Sequence, residues 1–510
     1  MYSDHPHHYT SQLPASLYRA QQTRDLDRIA IEQAGIPGFE LMSRAGRVAF
    51  KVLKETWTGA NRVLIFCGGG NNGGDGYIVA SLAKNTGMSV QLVQLSDPGK
   101  LTGEARLAYE QAQQDQVAMQ PYSPDLAIDA DVIVDAMLGT GLQGDVREPY
   151  QQLIATINES GCPVLAIDIP SGICSDTGRV LGTAVKAQVT TTFIGMKQGL
   201  LTGKAPAFCG KLVFAGLAVP PEVYQQVPTQ AELIDSTWVN RFFRPRPKDA
   251  HKGLFGHVLI IGGDLGMGGA VAMAAEAAGR CGAGLVSVIT RPEHVPGILA
   301  RRPECMVLGC DEGTNIDFAI EKASVIVVGP GIGRGRWGAF LLEQALASKL
   351  PMVLDADGLN YLAALVEQSP KTARRGNWVL TPHPGEAARL LGTDTVSIQE
   401  DRFAGVAALQ QQFDGVVLLK GAGTLIQSEA AIPRVVNTGN PGMASGGMGD
   451  VLSGVIGALL AQGLSIVDSA AVGAWIHGAA ADRAVQQHGE RGLLATDLML
   501  PLQALVNGKR

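Results

Sequence analysis

The chain has 510 residues, 46% of them hydrophobic and 17% charged, which supports two or more domains with large cores and little disorder. A net charge of -6 argues against non-specific nucleic-acid binding but leaves nucleotides open, because they bind through local dipoles and a few cations. The 64 glycines have no period, so a collagen-like chain is excluded.

Seven cysteines, an odd number without any C-x-x-C, read as reduced thiols; Cys305 and Cys310 lack zinc-ribbon spacing. Met1 to Tyr18 carries His5, His7 and His8 and no apolar core of a signal peptide, so a frayed tail is the simpler reading than a metal site. No apolar run reaches membrane-spanning length without glycine or charge, and a soluble cytoplasmic protein is expected.

Helical spacing runs over Leu17–Ala34 and Phe39–Trp57, interrupted by Gly35-Ile36-Pro37-Gly38. Arg62–Cys67 reads as a buried strand. It enters Gly68-Gly69-Gly70-Asn71-Asn72-Gly73-Gly74-Asp75-Gly76, a loop expected to precede a helix over Tyr77–Lys84. Strand, glycine loop and helix form the phosphate cradle of doubly wound folds, although two asparagines and an aspartate set this string apart from the dinucleotide fingerprint. Further strands are expected over Val90–Leu95, Val132–Met137, Val164–Ile169, Val189–Ile194 and Leu212–Ala215, alternating with helices, as in a parallel sheet covered on both faces.

Two of these strands end in chemistry, Asp135 before a second glycine loop and Asp168 before Ile169-Pro170-Ser171-Gly172. Strand carboxyl ends share one crevice in open sheets, so Asn72, Asp135, Asp168 and Ser171 can converge there. Their oxygens suit a hard cation, and Asp168 can alternatively carry a proton. Taken singly, each aspartate is as well explained by a turn cap.

The strings N-N-G-G-D-G, D-A-M-L-G-T-G (Asp135–Gly141) and D-I-P-S-G (Asp168–Gly172) resemble the NAD(P)H-hydrate epimerases. The resemblance covers residues 10–225 and implies a Rossmann-like domain that interconverts the R and S forms of the hydrated cofactor. It implies potassium at Asn72, Asp135 and Ser171. It also implies hydrate contacts from Asn71, Asn72, Gly73, Gly74 and Asp75, from Gly139, Thr140, Gly141, Leu142, Gln143, Gly144 and Asp145, and from Asp168. Inverting the hydroxylated carbon needs its C–O bond or the ring to open, and Asp168 is the candidate proton shuttle.

Val219-Pro220-Pro221 and Val227-Pro228 close this half, and Phe243-Arg244-Pro245-Arg246-Pro247-Lys248 reads as an extended entry to the next, with a boundary near residue 230. His251 and His257 can pair catalytically, although loop or satisfied core histidines explain each alone. His257–Ile261 is a strand into Gly262-Gly263, followed by a helix over Ala270–Arg280 and a strand over Leu285–Thr290. Four more strands end in distinctive loops: Gly329-Pro330-Gly331, Asp355-Ala356-Asp357, Thr381-Pro382-His383-Pro384-Gly385-Glu386 and Lys420-Gly421-Ala422-Gly423-Thr424. Lys420 can neutralise a phosphate as a point charge, and Asp355, Asp357 or Glu386 can orient magnesium through water.

The run Asn437–Gly454, with six glycines and one aspartate, opens an apolar helix-like segment. Unpaired amides at such a helix start, with the positive end of its dipole, suit a phosphate or a developing oxyanion. A carboxylate beside a phosphate repels it, so Asp450 reads as the base for a hydroxyl that attacks phosphorus. A flexible loop with an aspartate cap is the plainer reading of that run by itself.

The order of H-K-G (His251–Gly253), G-P-G-I-G, L-D-A-D-G-L-N, L-T-P-H-P-G-E, K-G-A-G-T and N-P-G-M-A-S-G-G-M-G-D resembles the ribokinase-like fold and, more closely, the ADP-dependent NAD(P)H-hydrate dehydratases, over residues 235–505. Carried over, the hydrate would meet Gly331, His383, Pro384, Gly385, Glu386, Ala387, Ala388, Arg389 and Asp450. The adenine nucleotide would meet Lys420, Gly421, Ala422, Gly423 and Thr424, and Asn440, Pro441, Gly442, Met443, Ala444, Ser445, Gly446, Gly447, Met448 and Gly449. ADP as co-substrate, with Mg2+, belongs to the same implication.

The expectation is therefore an α/β protein of two three-layer α/β/α domains, Rossmann-like then ribokinase-like. Its partners are the hydrate and an adenine nucleotide, with no nucleic acid or membrane, and it forms a homo-oligomer. Two alternatives stand beside it: a small-molecule kinase, for a hydroxymethylpyrimidine for example, and an N-terminal half that binds a ligand without catalysis.

Overall fold

Apolar runs become the strands of two parallel sheets in the computed structural model, which describes residues 5–368, 373–429 and 431–508. One unit ends at Glu232 and the next begins at Leu233.

The first unit contains β1 (Ser16–Tyr18), β2 (Arg62–Cys67), β3 (Ser89–Gln94), β4 (Ala118–Pro121), β5 (Val132–Ala136), β6 (Val164–Ile167), β7 (Val189–Phe193), β8 (Met196–Lys197) and β9 (Lys211–Ala215), with β10 (Ala231–Leu233) at the boundary. Seven of these form a sheet in the order β4-β3-β2-β5-β6-β7-β9, every neighbouring pair parallel. Alternation explains why β2 is apolar throughout: Val63, Ile65 and Cys67 enter one core, Leu64 and Phe66 the core on the opposite face. Helices α1 (Ala20–Glu32), α2 (Gly38–Thr56), α3 (Asn71–Asn85), α4 (Gly103–Gln114) and α5 (Tyr150–Glu159) supply the outer layers. The order reverses between β2 and β5, and the crevice beyond their carboxyl ends is where open sheets bind ligands.

Three expectations change here. Leu17 and Tyr18 belong to β1, which pairs with β8 on one side and β10 on the other, so the helix starts only at Ala20. Helix α3 starts at Asn71, six residues before the expected Tyr77. Its glycines permit close approach rather than a turn. A Cβ on Gly73 would stand 2.1 Å from the Gly68 carbonyl oxygen, and one on Gly74 2.5 Å from the Met42 methyl. Thr10 also exchanges two backbone hydrogen bonds with Phe214, both 2.9 Å, so the expected frayed tail is anchored at that point.

The second unit contains β11 (His257–Ile261), β12 (Leu285–Thr290), β13 (Met306–Gly309), β14 (Val325–Val328), β15 (Met352–Leu354), β16 (Trp378–Leu380), β17 (Val416–Leu419), β18 (Thr424–Ser428) and β19 (Arg434–Val436). They lie in the order β13-β12-β11-β14-β15-β16-β17-β18-β19, parallel as far as β17 and antiparallel from there. Around them lie α6 (Gly268–Arg280), α7 (Asp357–Gln368), α8 (Pro384–Leu391), α9 (Arg402–Phe413), α10 (Met448–Ala461) and α11 (Ile466–His488). Helix α10 is almost entirely buried, which is why its sequence is apolar all round.

Helices α6 and α10 cross with backbones nearly touching: a Cβ on Gly454 would stand 2.1 Å from the Ala274 carbonyl oxygen. Alanine at a helix interior normally gains about 0.5–1 kcal/mol over glycine. Overpacking against backbone costs about 1–3 kcal/mol and wins here. Gly454→Ala is expected to lower the stability of the second unit, read as a lower melting temperature; an unchanged or raised value would contradict this packing.

Candidate active sites, one in each unit

In the first unit, Asn71, Asn72 and Gly73 open α3 with amides that precede its first helical bond, from Gly74 N–H to the Gly70 carbonyl (3.1 Å). Asn71 and Asn72 line a cavity of about 570 Å3 whose wall also includes Asp75, the loop Gly139–Gln143 and Asp168. Gly73, Gly74, Gly144 and Asp145 are not part of that wall, so the expected hydrate contacts are brought together only in part.

Asp135, the last residue but one of β5, is fully buried. It accepts the Ser171 hydroxyl (2.6 Å) and the amides of Ser171 (2.8 Å) and Met137 (3.2 Å). Burial nonetheless pushes its carboxyl up to about 6 against these bonds. The Asn72 side-chain amide is buried with neither its oxygen nor its nitrogen bonded. A buried unbonded amide costs free energy, which a ligand or ion can offset.

Asp168, just past β6, adopts a left-handed backbone (φ 65°), a strained choice that turns the residue sharply off the strand. Lys197, at the end of β8, pairs with it. Lys197 and Asp27, which also line the cavity, escaped the sequence reading. The available signal for Lys197 was a lone lysine in the apolar run Phe193-Ile194-Gly195-Met196; Asp27 had none, sitting on an ordinary amphipathic helix.

In the second unit, Gly447 caps α10 in the left-handed conformation (φ 88°) and the first helical bond is Val451 N–H to its carbonyl (3.1 Å). The amides of Met448, Gly449 and Asp450 are left for an anion. Asp450 has no hydrogen-bond partner among the described residues, and burial, with Asp355 adding repulsion, pushes its carboxyl up to about 7. Lys420, past β17, donates to Asp355 (2.8 Å) and stands 3.8 Å from Glu386. Ser453 donates to the other Asp355 oxygen (2.7 Å). Burial pushes the Asp355 carboxyl up, but Lys420 outweighs it and holds the group below its ordinary value.

The remaining expected contacts divide by role. His383 caps α8, accepting the amides of Gly385 (3.0 Å) and Glu386 (3.4 Å), while Glu386 accepts the His383 amide (2.8 Å). Pro384 opens the helix and Arg389 reaches Asn360 (2.8 Å), but Ala387 and Ala388 turn into the core. Gly331 sits in a left-handed turn against Met267. Asn440 turns back on Gly442 (3.0 Å) and is held by Asp482 (2.9 Å), and Ser445 donates to the Leu493 carbonyl (3.1 Å). The Lys420–Thr424 loop is gripped from beneath by Arg402, whose buried guanidinium donates to the carbonyls of Leu419 and Lys420, both 3.2 Å. Sequence reasoning missed Arg402 and Asp482, because each acts on a loop distant in sequence.

Of the three carboxylates considered for magnesium, Asp357 is engaged by Arg334 (3.1 Å) and Asn360 (2.8 Å), while Asp355 and Glu386 surround Lys420. Among the described residues no group of three His, Cys, Asp or Glu side chains could hold a metal ion. His257 is a satisfied core histidine, its nitrogens bonded to the Lys322 carbonyl (2.9 Å) and Ser287 (2.8 Å); no catalytic pair with the exposed His251 forms.

Both units are thus three-layer α/β domains, Rossmann-like in the first and ribokinase-like in the second. Family models agree: one described as NAD(P)H-hydrate dehydratase matches residues 258–503, and one described as YjeF-related protein N-terminus matches 38–199. The chain is 49% identical over 491 residues to a bifunctional NAD(P)H-hydrate repair enzyme of Coxiella burnetii, covering 96% of this chain and 99% of that one. It is 44% identical to the Escherichia coli repair enzyme of that name, covering 97% and 95%. A solved ribokinase-like superfamily protein of Enterococcus faecalis matches 54% of this chain and 95% of its own, at 29% identity and a TM-score of 0.50. The chain belongs to the bifunctional NAD(P)H-hydrate repair enzymes. No helix among the described residues is long and apolar enough to cross a membrane.

The position of Asp450 has a measurable consequence. Its folded-state value, about 7, lies above its ordinary 3.8, so the folded protein binds this proton more tightly and loses that stabilisation as pH rises toward 7. Asp450→Asn removes the penalty. It is expected to melt higher than the parent at pH 8 and close to it at pH 4; equal melting temperatures at pH 8 would show that Asp450 bears no such burial cost.

Proposed function

We propose that the protein repairs hydrated NADH and NADPH, the first unit equilibrating the R and S hydrates and the second dehydrating the S form while ADP becomes AMP and phosphate. The reading rests above all on Asp450, an unbonded carboxylate at a helix start with three free amides and Lys420 beside it. The amides and Lys420 receive the terminal phosphate and stabilise the charge that builds on it. Asp450 takes the proton of the hydrate hydroxyl as its oxygen attacks phosphorus and AMP departs. The ring nitrogen's lone pair then expels phosphate, and loss of the neighbouring carbon's proton restores the ring double bond.

Magnesium belongs with the nucleotide phosphates in this reading. The oxygen donors facing Lys420 fit such an ion; Asp355 and Glu386 would hold it through water, and it would supply charge neutralisation. In the first unit the unbonded Asn72 amide and the all-oxygen set of Asn72, Asp135 and Ser171 fit potassium, which would supply a fixed positive charge beside the hydrate. Asp168 is the proton carrier of that site. The contacts implied for the two ligands, a cytoplasmic location, a homo-oligomeric state and domains over 10–225 and 235–505 complete the proposal; sedimentation of the purified protein tests the oligomer.

The decisive assay mixes the protein with S-hydrate and ADP and follows phosphate release and the return of reduced-nicotinamide absorbance. Asp450→Asn is expected to lose about 100-fold or more in kcat and to keep R-to-S interconversion. Full dehydration by that variant, or a stable phosphorylated product from the parent, would sink the reading. Replacing potassium with tetramethylammonium is expected to slow epimerisation, and Asn72→Leu to abolish the potassium response; a rate indifferent to the cation would remove the potassium site.

A further inference from the structure

Lys197 is 1% exposed, and its ammonium meets three acceptors of its own unit: Asp168, the Thr192 hydroxyl (3.0 Å) and the Phe193 carbonyl (3.3 Å). An ammonium has three protons to give, so none is left for a ligand. Its charge is directed at Asp168 instead. Asp27 and Asp75 line the same cavity, and neither carboxyl has a hydrogen-bond partner among the described residues. One buried cation therefore faces three carboxyls, and like charges sharing a site do not all ionise.

The other charged or titratable groups on the wall are Arg24 on α1, Glu104 on α4 and Tyr150 at the start of α5, with Cys67 of β2 behind Asp75. Burial, with Asp168 and Asp27 alongside, holds the Asp75 carboxyl well above the ordinary carboxylate range. Burial also pushes Asp27 up to about 7, with Lys197 pulling against it. Asp75 is thus held toward its protonated form. It sits on the helix that also brings Asn71 and Asn72 into the cavity wall.

We propose that Asp75 is the general acid of epimerisation and Asp168 its base, with Lys197 a positioning residue that pairs with Asp168 and fixes it. The assignment rests on the epimerase reading of this unit. Asp75 gives its proton to the hydrate's hydroxyl oxygen. The C–O bond breaks, both electrons leave on water, and the ring nitrogen's lone pair forms a C=N bond. Water adds to the opposite face of that carbon, the C=N pair returns to nitrogen, and the released proton passes to Asp168. Transfer of that proton from Asp168 to Asp75 closes the cycle. The pairing of one neutral and one ionised carboxyl is the acid–base division that contrasting environments create.

The test uses the full-length protein with R-hydrate, potassium and no nucleotide, following the approach to the R/S equilibrium from pH 5 to 9. The parent is the control: if it does not epimerise, the epimerase reading itself falls. With an active parent, Asp75→Asn is expected to lose about 100-fold or more and the alkaline fall of the profile. Asp27→Asn is expected to keep that fall. Lys197→Met is expected to shift the acidic rise to higher pH, because Asp168 loses its cation; a merely structural lysine would lower the rate without moving the rise. Full rate in Asp75→Asn, loss of the alkaline fall in Asp27→Asn instead, or an unmoved rise in Lys197→Met overturns the assignment. Should Asp75→Asn fail to fold by circular dichroism, Asp75→Glu serves in its place, expected to be active with a displaced alkaline fall; an identical profile would again overturn it.

Discussion

Both units carry a backbone contact that only glycine allows. Past β2, a Cβ on Gly68 would stand 1.9 Å from the Met137 carbonyl oxygen; past β11, one on Gly262 would stand 2.0 Å from that of Pro330. In each unit the loop leaving the first central strand therefore lies directly on the loop leaving its neighbour across the switch point. Hydrogen bonds from Gly68 to the Ala136 carbonyl and from Gly263 to that of Pro330, both 3.0 Å, fasten the two together. Side-chain bulk there would part the loops and take Asn72 away from the Gly139 turn in one unit, or Gly331 away from the Met267 turn in the other. The approach of these loops is thus set by the main chain before any charged group takes part.

On that shared frame the two units arrange charge differently. The first gathers carboxyls around a cation that is already committed, which makes a place to move protons. The second leaves the start of a long helix open, sets a lysine beside it and holds one carboxylate unbonded, which makes a place to receive an anion while a hydroxyl is activated.

Much of this arrangement was legible in the chain. The strands at Arg62–Cys67, Leu285–Thr290, Val325–Val328 and Val416–Leu419 fall where apolar runs flanked by glycine placed them, because strands buried on both faces are mostly apolar. The carboxyl ends could be read for the same reason, since polar residues there must serve a turn or a ligand. The start of α3 could not, because Gly73 and Gly74 look like turn residues and are helical only through contacts with Gly68 and Met42. β1, β8 and β10 are two or three residues long, too short for any period to show. Arg402 and Asp482 were invisible for another reason: each stabilises carbonyls or amides of a loop that only the tertiary fold brings near.

The buried Lys197 and the half-buried Lys420 show why composition alone could not separate the sites. Each stands at the end of a strand and each pairs with an aspartate, so their sequence patterns look alike. Lys197 meets three acceptors and has nothing to offer a ligand. Lys420 makes one close bond, to Asp355, and stands off at 3.8 Å from Glu386. Its burial works against the charge, but Asp355 and Glu386 prevail and keep the ammonium protonated. Two of its protons thus remain for an incoming oxygen anion. The difference between a lysine that fixes a base and one that grips a phosphate is therefore the number of neighbouring acceptors, a property of packing rather than of sequence.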